Sequence, residues 1–138
     1  MGAEILPPGE VGGNMLVIEV EGVASTDNAA LGSVANPEGA DLLITRGIWH
    51  IETPSTGAAN VSIGVTTEAA AATDLINALA ANGEITGKSY NCHARQNTAK
   101  TEISVPAKWE ADKFITFTGS GATTDLKAYL LIEYVKLP

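Results

Sequence analysis

Lys108–Pro138 has the sequence KWEADKFITFTGSGATTDLKAYLLIEYVKLP, and this stretch decides the fold class. It contains two apolar segments, Phe114–Thr118 and Leu126–Val135, separated by the connection GSGATT. Connections rich in glycine, serine and threonine join antiparallel strands. The stretch therefore predicts two strands and a turn.

The second segment alternates between two faces, as a β-strand does. One face is apolar apart from a phenol and consists of Leu126, Ala128, Leu130, Ile132 and Tyr134. The other face mixes charged and apolar side chains: Lys127, Tyr129, Leu131, Glu133 and Val135. Because a solvent-facing strand surface is normally polar, this mixed face predicts contact with another subunit or another protein.

Length and composition narrow the class of protein. The 138 residues are 45% hydrophobic and 17% charged, which is typical of one ordered domain. A net charge of −8 without a basic cluster argues against nucleic acid as a partner. No apolar run approaches the roughly 20 residues that span a bilayer, so no membrane contact is expected. The single cysteine, Cys92, excludes an internal disulfide and predicts synthesis in a reducing cytoplasm.

The remaining segments with strand patterns are short and separated by turn residues. They are Asn14–Val23, a short strand near Ala30–Val34, Asp41–Thr53, Asn60–Thr67 and Thr101–Pro106. Within Asp41–Thr53, alternation places Leu43, Thr45, Gly47, Trp49 and Ile51 on one face. Gly47 predicts a bulge or a close backbone approach. Residues 84–100 show no regular pattern.

One helix is expected at about residues 73–81, with the sequence TDLINALAA. Asp74 suits a helix N-terminus, Leu75, Ile76 and Leu79 form an apolar stripe, and the following Asn-Gly pair ends the element. A helix of about nine residues is unstable alone in water, so it must pack on the sheets.

These elements predict an all-β protein, an antiparallel β-sandwich of jelly-roll type with one short helix. An immunoglobulin-like sandwich and a small barrel fit the same pattern. The jelly roll is favoured because its strands are long and its connections cross between sheets. Residues 14–138 are expected to form this single domain. Residues 1–13, which include Pro7 and Pro8, are expected to form an extended N-terminal arm.

The residues that most often carry chemistry do not form a recognisable site. His50, Cys92 and His93 have no spacing that matches a metal-ligand pair. A nucleophilic cysteine would need a base and an orienting residue, and chain neighbours rarely face each other in the required way. The sequence therefore predicts no catalytic, cofactor-binding or metal-binding residues, and Trp49 and Trp109 are interpreted as core or interface anchors.

Three groups of residues carry a resemblance to a known family. They are Asn60–Val65 after a turn, Thr73–Ile76, and Lys113–Thr116 leading through Gly119-Ser120-Gly121 to Ala128–Tyr134. In this order they resemble the jelly-roll head decoration proteins, or cement proteins, of tailed bacteriophages. The resemblance covers roughly residues 41–138.

The resemblance implies a non-enzymatic virion structural protein on the capsid surface, made in the host cytoplasm. It implies a homotrimer that binds the major capsid protein and stabilises the capsid lattice, with no cofactor. The alternative is a receptor- or carbohydrate-binding β-sandwich module of a tail fibre or base plate. For the decoration protein, residues 1–13, which include Pro7 and Pro8, and parts of 24–40 are expected to face the capsid. Tyr129, Leu131 and Val135, or the neighbourhood of Trp109, are expected to pack between protomers.

Overall fold

The computed structural model describes residues 2–5, 14–27, 31–82, 88–92 and 107–137. These residues form ten β-strands and no helix. The strands are β1 (Gly2–Ile5), β2 (Met15–Glu21), β3 (Gly32–Ala35), β4 (Leu42–Thr53), β5 (Asn60–Thr66), β6 (Ile76–Ala80), β7 (Lys88–Asn91), β8 (Ala107–Trp109), β9 (Phe114–Gly119) and β10 (Lys127–Lys136).

The strands build two antiparallel sheets that pack face to face. Sheet A has the order β1-β2-β10-β4-β7, with β8 also paired to β4, and sheet B has the order β3-β9-β5-β6. The pairs are nested: β2 joins β10, β3 joins β9, β4 joins β7 and β5 joins β6. Such nesting is what results when one long hairpin is rolled into two sheets, and it is the jelly-roll topology. The predicted antiparallel sandwich of jelly-roll type is confirmed.

The apolar face of β10 lies at the centre of the core. Leu126, Ala128, Leu130, Ile132 and Tyr134 are all buried, as their alternation predicts. Across the sandwich, the ring of Trp49 on sheet A lies 6.1 Å from that of Phe117 on sheet B, centroid to centroid. The core thus joins both sheets through large side chains, which dominate the free energy of burial.

A β-bulge in β4 changes which residues face the core. Glu133 of β10 is opposite Arg46, but Tyr134 is opposite Ile44, so Thr45 is an extra residue. Ile44 is buried before the bulge and Trp49 is buried after it. The prediction that Leu43 and Thr45 share a face with Trp49 is therefore wrong, because the bulge reverses the alternation.

Gly47 follows this bulge and admits a close neighbour. A Cβ at Gly47 would lie 2.9 Å from the sulfur of Cys92, so the neighbour that approaches Gly47 is a side chain and not the predicted backbone. Cys92 is fully buried in the core. Because burial disfavours the thiolate, the pKa of the Cys92 thiol is raised from 9.0 to about 12.

The expected helix at residues 73–81 is not present, because Ile76–Ala80 is strand β6 at the edge of sheet B. β6 pairs with β5 through a register shift, and Ala78 has a φ of 56°. The irregularity lets Ile76 and Leu79 both pack on the core at a spacing of three, which imitates a helical stripe. Pairing with β5 also supplies the backbone hydrogen bonds that a nine-residue helix could not retain alone.

Three short strands lie where none is predicted. β1 falls within the expected N-terminal arm and pairs with β2, so Ala3 and Ile5 pack against the core. β7 falls within residues 84–100, and β8 overlaps the start of the Lys108–Pro138 stretch, before the apolar segment that forms β9. The strand predicted at 101–106 and residues 6–13 of the arm lie outside the described residues.

The connection between β9 and β10 closes one end of the sandwich. The backbone N–H of Gly22 donates to Leu126 O at 2.8 Å, and Thr123 N–H donates to Val23 O at 2.8 Å. The Thr123 hydroxyl accepts a further bond from Val23 N–H at 3.1 Å. A Cβ at Gly22 would lie 1.8 Å from Thr123 O, so the two segments can meet only if residue 22 is glycine.

Gly22→Ala is expected to lower the free energy of unfolding by about 3 kcal/mol or more, since the added methyl group must displace rigid backbone. Urea denaturation measures the change. Gly121→Ala is the matched control in the same end of the sandwich, because a Cβ there meets nothing within 4 Å. Equal stability of the two variants would contradict the close approach.

The buried thiol gives a second prediction. Between pH 9 and pH 10 the unfolded chain loses the Cys92 proton while the folded chain keeps it, so the free energy of unfolding falls as pH rises, by about 1 kcal/mol. The pKa of Tyr134 is raised to about 12 by burial and by its hydrogen bond to Glu38. Because an ordinary tyrosine titrates near 10.0, ionisation of Tyr134 lowers the free energy of unfolding mainly above pH 10. Cys92→Ala should flatten the pH dependence between pH 9 and pH 10 in urea denaturation. An unchanged slope would show that the thiol ionises equally in both states.

Candidate interaction surface

The outer face of sheet A, which points away from sheet B, carries an apolar row across three strands. Leu131 of β10 is in register with Val17 of β2 on one side and with Ile48 of β4 on the other. All three side chains are half-buried. The row is unusual because the outward face of an antiparallel sheet is normally polar.

A mixed row lies next to it along the strands. Glu133 is in register with Met15 on β2 and with Arg46 on β4. Arg46 Nη1 lies 3.9 Å from Glu133 Oε2, and the two side chains are 61% and 41% exposed. An ion pair this open to water contributes little to stability, so both charges are available to a partner.

The end of this face is apolar again. Val135 lies beside Leu43 in the register of β10 and β4. Among the described residues, Val135 is the large hydrophobic side chain left exposed, at 42%. The outer face therefore presents an exposed apolar side chain two residues beyond the Arg46–Glu133 pair.

A shallow depression of about 150 Å³ lies on the other side of that pair. Its lining consists of Met15, Arg46, Ile48, Leu131, Ile132 and Glu133. The depression adjoins the β4 bulge, where the extra residue Thr45 interrupts the regular pairing of β4 with β10. A second, more open concavity borders Met15, Glu133 and Val135.

The opposite end of the face is polar. Tyr129 lies in register between Glu19 and His50, and His50 pairs in turn with Ser89. His50 Nδ1 is 2.8 Å from Ser89 Oγ, and His50 Nε2 is 3.1 Å from Glu52 Oε1. These three groups bridge β4 and β7 on the open surface of the sheet. We interpret them as cross-strand hydrogen bonds that fix the positions of these side chains.

Lys127 adds a positive charge to the polar end. Its Nζ lies 3.7 Å from Glu19 Oε2. The pKa of Lys127 is raised by Tyr129 first and by Glu19 and Glu21 after it. Positive and negative groups thus alternate on this face.

The structure sorts the residues predicted at protein contacts into three groups. Tyr129, Leu131 and Val135 lie on the outer face of sheet A. Trp109 does not fit the role of a surface anchor, because its side chain is completely buried and its Nε1–H donates to Lys113 O at 2.9 Å. Pro7 and Pro8 lie outside the described residues.

Alternation along β10 is the signal that located the face. Met15, Arg46 and Ile48 belong to the same surface but were not singled out, since a sequence does not reveal which strands flank β10. The bulge at Thr45 further obscures the outward positions of β4.

The histidines and the cysteine do not form a site in the described part of the chain. Cys92 is buried on the inner side of sheet A against Gly47, while His50 lies on the outer face. His93 is outside the described residues. Within those residues, no group of three or more histidine, cysteine, aspartate or glutamate side chains is placed to hold a metal ion.

Comparison with protein-family models, with curated proteins and with solved structures finds no match to this chain. Across the residues that the structure describes, no helix has the length and hydrophobicity needed to cross a bilayer. The function must therefore be inferred from the fold and from the outer face of sheet A.

Proposed function

We propose that this chain is a non-enzymatic virion structural protein, a decoration or cement protein that binds and stabilises the major capsid protein lattice of a tailed bacteriophage. The observation that supports the proposal best is the apolar outer face at the centre of sheet A. An apolar surface framed by charged and polar groups is typical of a protein–protein contact. Its position on a rigid jelly-roll body suits a protein that acts by occupying a place in an assembly.

A cement protein must resist deformation, and the loop at residues 36–40 is held by hydrogen bonds. The side chain of Asn36 organises residues 36–40: its Oδ1 accepts bonds from the backbone N–H groups of Glu38 and Gly39. Its amide donates to Ala40 O at 2.9 Å and to Trp109 O at 3.1 Å. A loop that is already ordered loses little conformational entropy when it binds. We propose this loop as one of the contacts with the capsid.

The remaining parts of the proposal concern the assembly. We propose a homotrimer on the capsid surface, with the arm at residues 1–13 adding contacts to the shell. Because β1 belongs to sheet A, removal of the whole arm would also remove Ala3 and Ile5 from the core. Truncation of the arm is thus a poor test of capsid binding.

Direct binding to capsids is the sharper experiment. The major capsid protein of the proposed bacteriophage is assembled into empty shells, which are mixed with the purified chain and separated on a density gradient. We expect the chain to sediment with the shells, to saturate at a fixed ratio to the capsid subunit, and to raise the temperature at which shells disrupt. An unrelated acidic protein of similar size is the control. A chain that stays at the top of the gradient at saturating concentration would refute the proposal.

One observation favours the alternative, a carbohydrate- or receptor-binding module. Tyr129 offers a ring on an open sheet surface, with Glu19 and His50 in register on either side. Sugars stack on such rings and bond to flanking polar groups. A glycan array with the native chain and with Tyr129→Phe and Tyr129→Ala decides the matter: binding retained by Phe and lost with Ala would favour this alternative over the decoration protein.

A further inference from the structure

We propose that the outer face of sheet B, which points away from sheet A, binds one uncharged sugar ring in a polar cavity. This goes beyond the proposed function and does not depend on capsid binding. The site lies on the opposite side of the sandwich from the outer face of sheet A. We call it the sheet B cavity. It has a volume of about 220 Å³, and its lining includes Asn60, Ser62, Ala71, Ala78, Thr118 and Ser120.

The cavity exists because the outer face of sheet B is covered only in part. The segment at residues 67–75 crosses this face, so closely that a Cβ at Gly64 would lie 2.6 Å from the Cβ of Ala72. The next outward pair along the strands is Ser62 of β5 and Thr118 of β9, which are in register. This pair lies beyond the cover and forms the floor of the cavity.

The hydroxyl of Ser62 is held in place by an irregularity of β6. The register of β5 and β6 shifts between Val61 and Ile63. At the shift, the backbone N–H of Ala78 donates to Ser62 Oγ at 3.0 Å. A hydroxyl that accepts a bond still has its own hydrogen to donate. Within the described residues that hydrogen has no acceptor, so an oxygen of a ligand can accept it.

The far end of the cavity repeats this arrangement. The backbone N–H of Asn60 donates to Ser120 Oγ at 2.8 Å, and Ser120 N–H donates to Asn60 O at 2.8 Å. The Ser120 hydroxyl therefore also keeps its hydrogen. The exposed side-chain amide of Asn60 adds a donor and an acceptor that have no partner in the described part of the chain.

The floor supplies a further acceptor. Thr118 is 6% exposed, and its hydroxyl donates to Ser62 O at 3.5 Å, which leaves its lone pairs free. The cavity thus presents fixed donors and acceptors side by side. Convergent polar groups in a concave site are the usual mark of a binding site for a small molecule.

The lining favours an uncharged ligand that is rich in hydroxyl groups. Among the described residues, no acidic or basic side chain lines the cavity, and the net charge of −8 repels anions. Each hydroxyl of a sugar both donates and accepts, which matches the alternating groups of the lining. The methyl groups of Ala71 and Ala78 can contact the C–H groups of the ring.

The size of the cavity limits the ligand and the affinity. A volume of 220 Å³ holds several water molecules, at about 30 Å³ each, and so accommodates a single sugar ring. A ligand of this size with a few hydrogen bonds and no aromatic contact binds weakly. We therefore expect a dissociation constant on the order of 1 to 10 mM.

Amide chemical shifts of the ¹⁵N-labelled full chain test the site. The chain is titrated with the methyl glycosides of glucose, galactose and mannose up to about 100 mM, well above the expected dissociation constant. At least one glycoside should shift the amides of Ser62, Thr118 and Ser120 and saturate in the millimolar range. Sodium sulfate, added at constant ionic strength, is the anion control and should leave these amides unchanged.

Variants place the binding in the cavity. Ala71→Leu fills the cavity from its wall without removing a hydrogen bond, so saturable shifts should be lost. Asn60→Ala removes the unpartnered amide but keeps the backbone bonds to Ser120, and it should weaken binding about threefold or more. Ala111→Leu is the matched control, because it adds the same side chain at an exposed alanine in the turn after β8. Both Ala111→Leu and Tyr129→Ala should bind as the native chain does.

Three results would overturn the proposal. The first is a native chain whose cavity amides show no saturable shift with any of the three glycosides. The second is an Ala71→Leu chain, shown to be folded by its spectrum, that binds as tightly as the native chain. The third is loss of binding in Tyr129→Ala, which would assign the sugar to sheet A. Sedimentation with capsid shells does not involve this cavity, so failure here is distinguishable from failure of the proposed function.

Discussion

The structure depends on the pairing of β10 with both β2 and β4 in the middle of sheet A. Because β10 alternates strictly, this one strand supplies buried side chains to the core and half-exposed side chains to the outer face. Leu130 and Ile132 hold the two sheets together from within, while Leu131 and Glu133 lie on the outer face. The core and the proposed contact surface therefore depend on the same ten residues, and a change of register in β10 would disrupt both.

The outer face gains its shape from an irregularity in the neighbouring strand. The extra residue Thr45 lets β4 present Ile44 and Trp49 to the core on either side of a bulge, and it leaves Arg46 beside Glu133. A regular strand would give a flat surface. The bulge residue Thr45 instead borders an open concavity on this face, together with Glu133 and Val135.

The sequence predicts the sandwich and its central strand because long apolar alternation has only one plausible structure. The same reasoning fails where strands are short or irregular. The spacing of Ile76 and Leu79 imitates a helix because Ala78 interrupts the strand period, and β1, β7 and β8 have only three or four residues each. Trp109 is buried because β8 pairs with the start of β4. This contact joins distant parts of the chain, and the residues next to Trp109 in the sequence do not predict it. Tyr129, Leu131 and Val135 were placed on the outer face correctly because all three lie on one regular strand.

The nested pairing also has a consequence for biosynthesis. The second edge of β2 stays uncovered until β10, more than a hundred residues further along the chain, has been synthesised. Met15 of β2 then lies opposite Glu133 of β10. Most of the chain thus leaves the ribosome before sheet A can close, and the many distant contacts imply slow maturation. A ribosome that stalls within the last strand would release a polypeptide with an open sheet edge and an exposed core, a form prone to aggregation and proteolysis.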